Sequence, residues 1–430
     1  MTPQELLDRV APPPANDLLV ALSGGPDSAV AAWVAVSVAT GGVRAVHVHH
    51  GTAAADHLAA AARAVAARLG IPLVETTVTV PAGPSWEGQA REVRWTALVE
   101  ARREDEVIVT GHHRDVLAET TFSHLMRGAG AAGLAALAAP RPSRGRPLLE
   151  FDHSTSAGVA AELGLGAVAD PANDDLAHNR NRLRHLVLPQ LAEELNPKLM
   201  SSLARTARAL AADDALIEGQ VGGVRPRRDV WGAWQLPAPL ITTAHPAIAA
   251  RLVRRLLRAA RPPHAGTAAE VATAIEVARG TTGRRQVDGG WVLELEGPWL
   301  VAHCGDVAAP PPTVLELPGT VDFGAWKLMA SQAPLVLTRR TSLVDPAAVD
   351  HVLDIRPARD GERIEIAAGS KPVRDVMAEA GIPPRLRSAW PVAEASGRIA
   401  AVVGVRTAPW ARGTLGDAGI QEVKVGDDQF

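Results

Sequence analysis

The stretch Leu18–Ala35, LLVALSGGPDSAVAAWVA, decides the fold. A short apolar run over 18–22 gives way to the glycine-rich SGGPDS, Ser23–Ser28, and then to an alanine-rich run over 29–39. That order reads as buried strand, tight turn and helix. Gly24 and Gly25 let backbone N–H groups converge ahead of Pro26, and the helix start adds a partial positive charge, so the turn suits a phosphate. Ser23 and Ser28 add hydroxyl donors. The loop has no lysine, whereas the GxxxxGK[ST] loop places one on the β- and γ-phosphates of a nucleotide. Its absence argues against γ-phosphoryl transfer and for cleavage between the α- and β-phosphates, with AMP passing to the substrate. An acid beside phosphates is repulsive, so Asp27 makes sense chiefly as a ligand of Mg²⁺ that bridges them.

Working outward, strand and helix signals alternate. VRAVHVHH (43–50), IPLVETTVTV (71–80) and VIVTGHH (107–113) read as further strands. Helices are expected over 56–69, 89–103 and 115–126. Short apolar strands between amphipathic helices predict a parallel sheet covered on both faces, with right-handed crossovers. This α/β nucleotide-binding domain is expected to close with the helical stretch NPKLMSSLARTARALAADDALIEG, giving 1–218. The pattern breaks at VGGVRPRRDVWG (221–232). A mostly helical middle domain, 219–328, is expected to carry helices over 245–260 and 267–279 and a hairpin in RRQVDGGWVLELEGPWLVAH. A small α+β domain, 329–430, follows the proline-rich AAPPPT, with a helix over 373–380.

Composition narrows the class. At 430 residues the chain is long for one core, and 47% hydrophobic with 21% charged residues is a globular balance. The single cysteine, Cys304, excludes a disulfide framework, a CxxC pair and a cysteine-rich zinc or iron–sulfur site. No apolar run approaches the ~18 residues of a membrane span, and the start lacks a signal-peptide pattern, so a cytoplasmic protein is expected. The net charge of -3 hides local basic surface. Arg251, Arg254, Arg255 and Arg258 fall at i, i+3, i+4, i+7, and with Arg225, Arg227 and Arg228 they make a face that a folded RNA could use. Lys371, Arg374, Arg385 and Arg387 form a second set. Adjacent histidines on a strand face opposite ways, so only one each of His49/His50 and His112/His113 can reach the same side. With no HExxH or Cys/His spacing, zinc is not expected; hydrogen bonding near a nucleotide is the better role for His50 or His113. Asp115 and Glu119 lie four apart on one helix face, at the sheet edge where open α/β folds bind ligands. Such a pair can hold an ammonium group or take its proton.

The SGGPDS loop matches the signature of the PP-loop ATP pyrophosphatases, which adenylate a carbonyl oxygen and let a nucleophile displace AMP. Further segments, in order, resemble the tRNA(Ile)-lysidine synthase family: HVHHGT (47–52), WEGQAREVRW (86–95), TGHHRDVLAETTFSHLMRGAG (110–130), RPLLE (146–150), DPAN (170–173), RNRLRHLVLP (180–189), IRPARDGERI (355–364) and SKPVRDVMAEAGIPPRLRSAWPV (370–392). The resemblance covers most of the chain and is least distinctive in the middle. It implies ATP-dependent adenylation of the C2 carbonyl of the wobble cytidine in a CAU anticodon, followed by attack of the lysine ε-amine to form lysidine. It assigns the lysine to Asp115 and Glu119 and puts Glu87, Arg91 and Arg94 in register with the family's ExxARxxR. Arg91 and Arg127 are candidates to steady phosphate or intermediate charge. Arg180, Arg182 and Arg184 are candidates for an anticodon pocket, with Arg251, Arg255, Lys371 and Arg374 for further tRNA contacts. Trp95 stands where the family has tyrosine, and Val116 where it has a second acid. Expected partners are an isoleucine tRNA and free L-lysine, with a homodimer left open and no membrane.

Rival readings are another PP-loop adenylating enzyme, such as a tRNA thiolase or an amidotransferase, and a non-catalytic nucleotide-sensing RNA binder. Cys304 alone fits neither the thiolase nor the amidotransferase, and a sensor has no use for an amine-binding acid pair.

Overall fold

The computed structural model describes residues 1–11, 17–49, 53–80, 86–331, 341–413 and 419–424. Two compact units divide at Glu218/Gly219.

In the first unit, α1 (Pro3–Leu7) precedes β1 (Leu18–Ala21), α2 (Pro26–Val38), β2 (Val43–His49), α3 (Ala53–Leu69), β3 (Leu73–Thr77) and α4 (Trp86–Ala101). Then come β4 (Val107–Val109), α5 (Arg114–Met126), α6 (Ala131–Leu134), β5 (Arg144–Gly145) and α7 (His153–Glu162). The sheet order is β3-β2-β1-β4-β5 and every pairing is parallel. Alternation along β1 fills both faces. Leu18 and Val20 pack with Val30, Val34, Val65 and Val159, whereas Leu19 packs with Val46, Leu98 and Ile108. The chain leaves β1 for β2 on one side and returns to β4 on the other. The crevice of this α/β sheet therefore opens beyond the C-terminal ends of β1 and β4. A long helix, Leu199–Val221, carries the chain past Glu218 into the second unit.

The second unit begins with an antiparallel sheet ordered Arg227–Arg228, Trp234–Pro237, Trp299–His303, Val292–Glu296, Arg285–Gln286. Helices Ala238–Thr242, Pro246–Ala260 and Ala268–Ala278 accompany it. The expected hairpin is Val292–Glu296 against Trp299–His303. Beyond it lie a five-stranded and a four-stranded antiparallel sheet and the helix Val373–Glu379, around a core holding Trp326, Trp390 and Phe323. Among the described residues no helix is long and apolar enough to cross a membrane.

Candidate functional site at the β1/β4 crevice

The turn after β1 is drawn tight by its own hydroxyls. Ser28 Oγ donates to the Gly25 carbonyl at 2.9 Å and accepts the Ser23 N–H at 3.1 Å, with Ser23 Oγ 3.0 Å away. Gly24 has φ +92°, and a Cβ there would sit 2.3 Å from the Leu58 carbonyl oxygen. Both facts require glycine. The helix that follows has no side-chain cap at Gly25, so its N-terminal N–H groups remain available to a phosphate. Just beyond the end of β4, Gly111 presses against the loop: a Cβ on it would lie 2.6 Å from the Asp27 carbonyl. The glycine of GHH is thus a packing requirement, and His113 two residues on lies alongside Asp27.

His113 caps α5 and is 4% exposed. Its Nε2 lies 3.6 Å from Asp27 and its Nδ1 3.6 Å from Asp115. Burial pushes the imidazole's pKa down, against the pull of the two carboxylates. A third group arrives from the helix that follows β5. His153, the first residue of α7, places Nδ1 3.1 Å from both Asp27 oxygens, and its backbone N–H donates to Asp115 Oδ2 at 2.9 Å. The Asp27 hydrogen bond raises the His153 pKa, outweighing its burial. Asp152 caps α7 by accepting from Thr155 N and pairs with Arg114 at 2.9 Å. This anchors the helix start that carries His153. Asp27, Asp115, His113 and His153 therefore form one cluster, which joins the ends of β1, β4 and β5.

Glu119, one turn further along α5, is 2% exposed and held by Arg184 in a two-point ion pair of 2.6 and 3.1 Å, with Arg180 at 3.5 Å. Arg180 and Arg184 lie on the same side of their helical stretch, whereas Arg182 is exposed. The three arginines do not line one surface. Val116 is packed among Leu117, Leu137, Ala204 and Ala207, so the position where the family has an acid is core in this chain.

A positive flank lies beside the cluster. His112 is bound to Thr110 Oγ1 at 2.7 Å, and its pKa is pushed well down by burial and then by Arg146, Arg91, Arg94 and Arg180. Burial also takes the Arg146 guanidinium down to about 10, helped by Arg144, Arg141 and Arg91. Arg91 thus contributes to a field suited to an anion. Arg127 is a correction. It is exposed at the far end of α5, bonded to Ser123, about 18 Å of helix rise beyond Asp115. It is not gathered into the cluster, because twelve residues of straight helix separate the two ends of that motif. His50 and the Glu87 side chain lie outside the described residues.

In the second unit, Arg255 is committed to the carbonyls of Gly222 and Val224 and Arg254 to that of Gly266. Arg251 and Arg258 are partly or fully exposed on the same helix. Lys371 pairs with Glu379, and Arg374 is exposed. Arg385 is a second correction, for it is 2% exposed and closed in by Asp229 and Glu296, each at 2.6 Å. It cannot meet RNA.

For Mg²⁺, Asp27 offers carboxylate oxygens beside the phosphate turn. One carboxylate plus substrate phosphates is the usual protein share of such a site, so the residue fits.

Residues 2–191 match a family model described as a PP-loop domain, and 353–422 match one described as a TilS substrate C-terminal domain. The tRNA(Ile)-lysidine synthase of Chromobacterium violaceum is 34% identical over 85% of this chain and 85% of its own length. That of Alkalilimnicola ehrlichii is 32% identical over 92% and 91%. Among solved structures, a Methanococcus maripaludis U34-tRNA thiolase aligns with a TM-score of 0.39 at 18% identity, over 49% of this chain and 77% of that one. The order of motifs, the glycine turn with its acid, and similarity along almost the whole length place the chain in the tRNA(Ile)-lysidine synthase family, ATP-dependent ligases built on a PP-loop domain.

Proposed function

We propose that the chain joins free lysine to the wobble cytidine of an isoleucine tRNA with a CAU anticodon, acting in the cytoplasm. The observation that carries this reading is the meeting of Asp27, at the end of β1, with Asp115, at the end of β4, across His113. A phosphate-turn acid and an amine-binding acid then face the same reacting centre.

The triphosphate lies on the Ser23–Ser28 turn, where the N–H groups of the uncapped helix and the two serine hydroxyls hold pyrophosphate. Mg²⁺ on Asp27 would neutralise charge on the departing pyrophosphate. The cytidine O2 attacks the α-phosphorus and pyrophosphate leaves, with Arg91 and Arg146 supplying positive field. Asp115 receives the lysine ammonium and accepts a proton from it; the freed amine attacks C2, and AMP departs with the C2–O bond electrons. His113 stands between the two carboxylates and keeps them apart. Glu119, fixed by Arg184, completes the acid face. Arg182, Arg251 and Arg374, all at least partly exposed, contact tRNA phosphates. The cytidine is unstacked to reach the crevice.

Incubation with Mg²⁺-ATP, labelled lysine and bulk bacterial tRNA should put label into RNA with release of AMP. Asp27→Ala and Asp115→Ala should each reduce incorporation by ~100-fold or more, on the scale of removing one preorganised electrostatic group. ATP turnover to AMP with tRNA present and no lysine incorporated would overturn the lysine assignment.

A further inference from the structure

Asp27, His113 and His153 each offer one ligand atom, and these atoms all lie within 4.8 Å of one another. The Asp27–His153 and Asp27–His113 separations, 3.1 and 3.6 Å, are those of ligands each ~2.0–2.1 Å from a shared ion. His113 adds an independent sign. Its Nδ1 is buried with no hydrogen-bond partner, and the nearest acid is Asp115 Oδ2 at 3.6 Å. With Nε2 on a cation, Nδ1–H would point at that carboxylate, the arrangement that orients metal-bound imidazoles.

We propose that Asp27, His113 and His153 bind a first-row transition cation of the Zn²⁺ type, with Asp115 positioning His113, and that the chain takes up this cation without nucleotide. Two imidazoles and one carboxylate suit Zn²⁺ or Co²⁺ and are a poor set for Mg²⁺, which prefers oxygen. Three protein ligands leave an open position. The expectation of no zinc rested on local spacing within single motifs, which does not cover His153 on the helix after β5. Because Asp27 serves both sites, Zn²⁺ and Mg²⁺-ATP compete, and micromolar Zn²⁺ acts as an inhibitor that extra Mg²⁺-ATP relieves. Loss of this proposal leaves the ATP chemistry standing, since Asp27 and phosphates hold Mg²⁺ without either imidazole.

The test is titration of the full chain with Co²⁺ in the absence of nucleotide, read by visible absorption and calorimetry. One equivalent is expected, with the intense bands of a four- or five-coordinate ion, displaced by Zn²⁺. His153→Gln should abolish the bands. Asp115→Asn, which keeps all three ligands, should weaken affinity by ~10–100-fold. Circular dichroism melts of both variants establish that they are folded. No bands in the wild type, or equal affinity in His153→Gln and wild type, would overturn the proposal.

Discussion

Two arginines, one in each unit, grip a glutamate at two points, and the difference between them separates a site from a scaffold. Arg184 meets Glu119 at 2.6 and 3.1 Å with its own side chain 30% exposed. Arg385 meets Glu296 at 2.6 and 3.1 Å, adds Asp229 at 2.6 Å, and is 2% exposed. The first pair is open on one side. The second is closed, with its donors spent on two acids that would be costly to bury without it. An open, partly satisfied charge is where a ligand can enter; a closed one holds the chain together. Both arginines were candidate RNA contacts by sequence, because residue type does not disclose burial.

Breaking the closed cluster should have the largest effect on stability. Arg385→Ala leaves two carboxylates facing each other in a buried place, so a loss of about 3–5 kcal/mol is expected in urea unfolding of the second unit. A loss under 1 kcal/mol would mean the triad is wetter than its geometry states. Glu270 provides a pH-resolved version. Burial alone would raise its carboxyl, but Arg261 and Thr267 outweigh that and hold it down at about 2. A folded value below the unfolded one contributes stability above the unfolded pKa, and this is lost as pH falls through the folded value. Glu270→Gln should therefore cost up to about 3 kcal/mol at pH 7 and progressively less from pH 5 toward pH 2. A pH-independent difference between variant and wild type would sink the ion-pair account.

Much of the fold was legible because the information was local. The strand–turn–helix at Ser23–Ser28, the helix starting at Arg114 and the helices Pro246–Ala260 and Ala268–Ala278 follow from apolar period and turn residues. β5 has two residues and no period to detect, and the helix after it was not expected. That gap hid His153 and the Arg114–Asp152 anchor. The one available signal was Asp152 ahead of Ser154 and Thr155, a helix N-cap pattern. Asp27 and Asp115 could be named from contiguous motifs, whereas the Arg184–Glu119 pair joins residues 65 positions apart. Val116 was a departure in sequence and becomes ordinary in structure, since that face of α5 is core.

The open pair can be sharpened next. Arg184→Ala leaves buried Glu119 with only the longer Arg180 contact at 3.5 Å, and a stability loss of about 1–3 kcal/mol is expected. If Glu119 belongs to the amine-binding face, the same change should alter KM for lysine more than kcat, because the carboxylate is then no longer held in place by its two-point partner. A fall in kcat alone would assign Arg184 to the adenylation step instead.

The smallest expected effect belongs to Arg182, whose side chain is exposed between the two arginines that turn inward. If it contacts a phosphate of the anticodon loop, Arg182→Ala should leave stability unchanged and reduce the salt slope of tRNA binding by about 0.7, the share of one single-strand phosphate. Arg184→Ala should weaken binding without that change in slope, because its charge is already matched by Glu119. Equal slopes for both variants and wild type would place the RNA elsewhere. A reduced slope for Arg184→Ala would mean that tRNA opens the Glu119 pair on binding, which would make the open side of that pair part of the RNA surface.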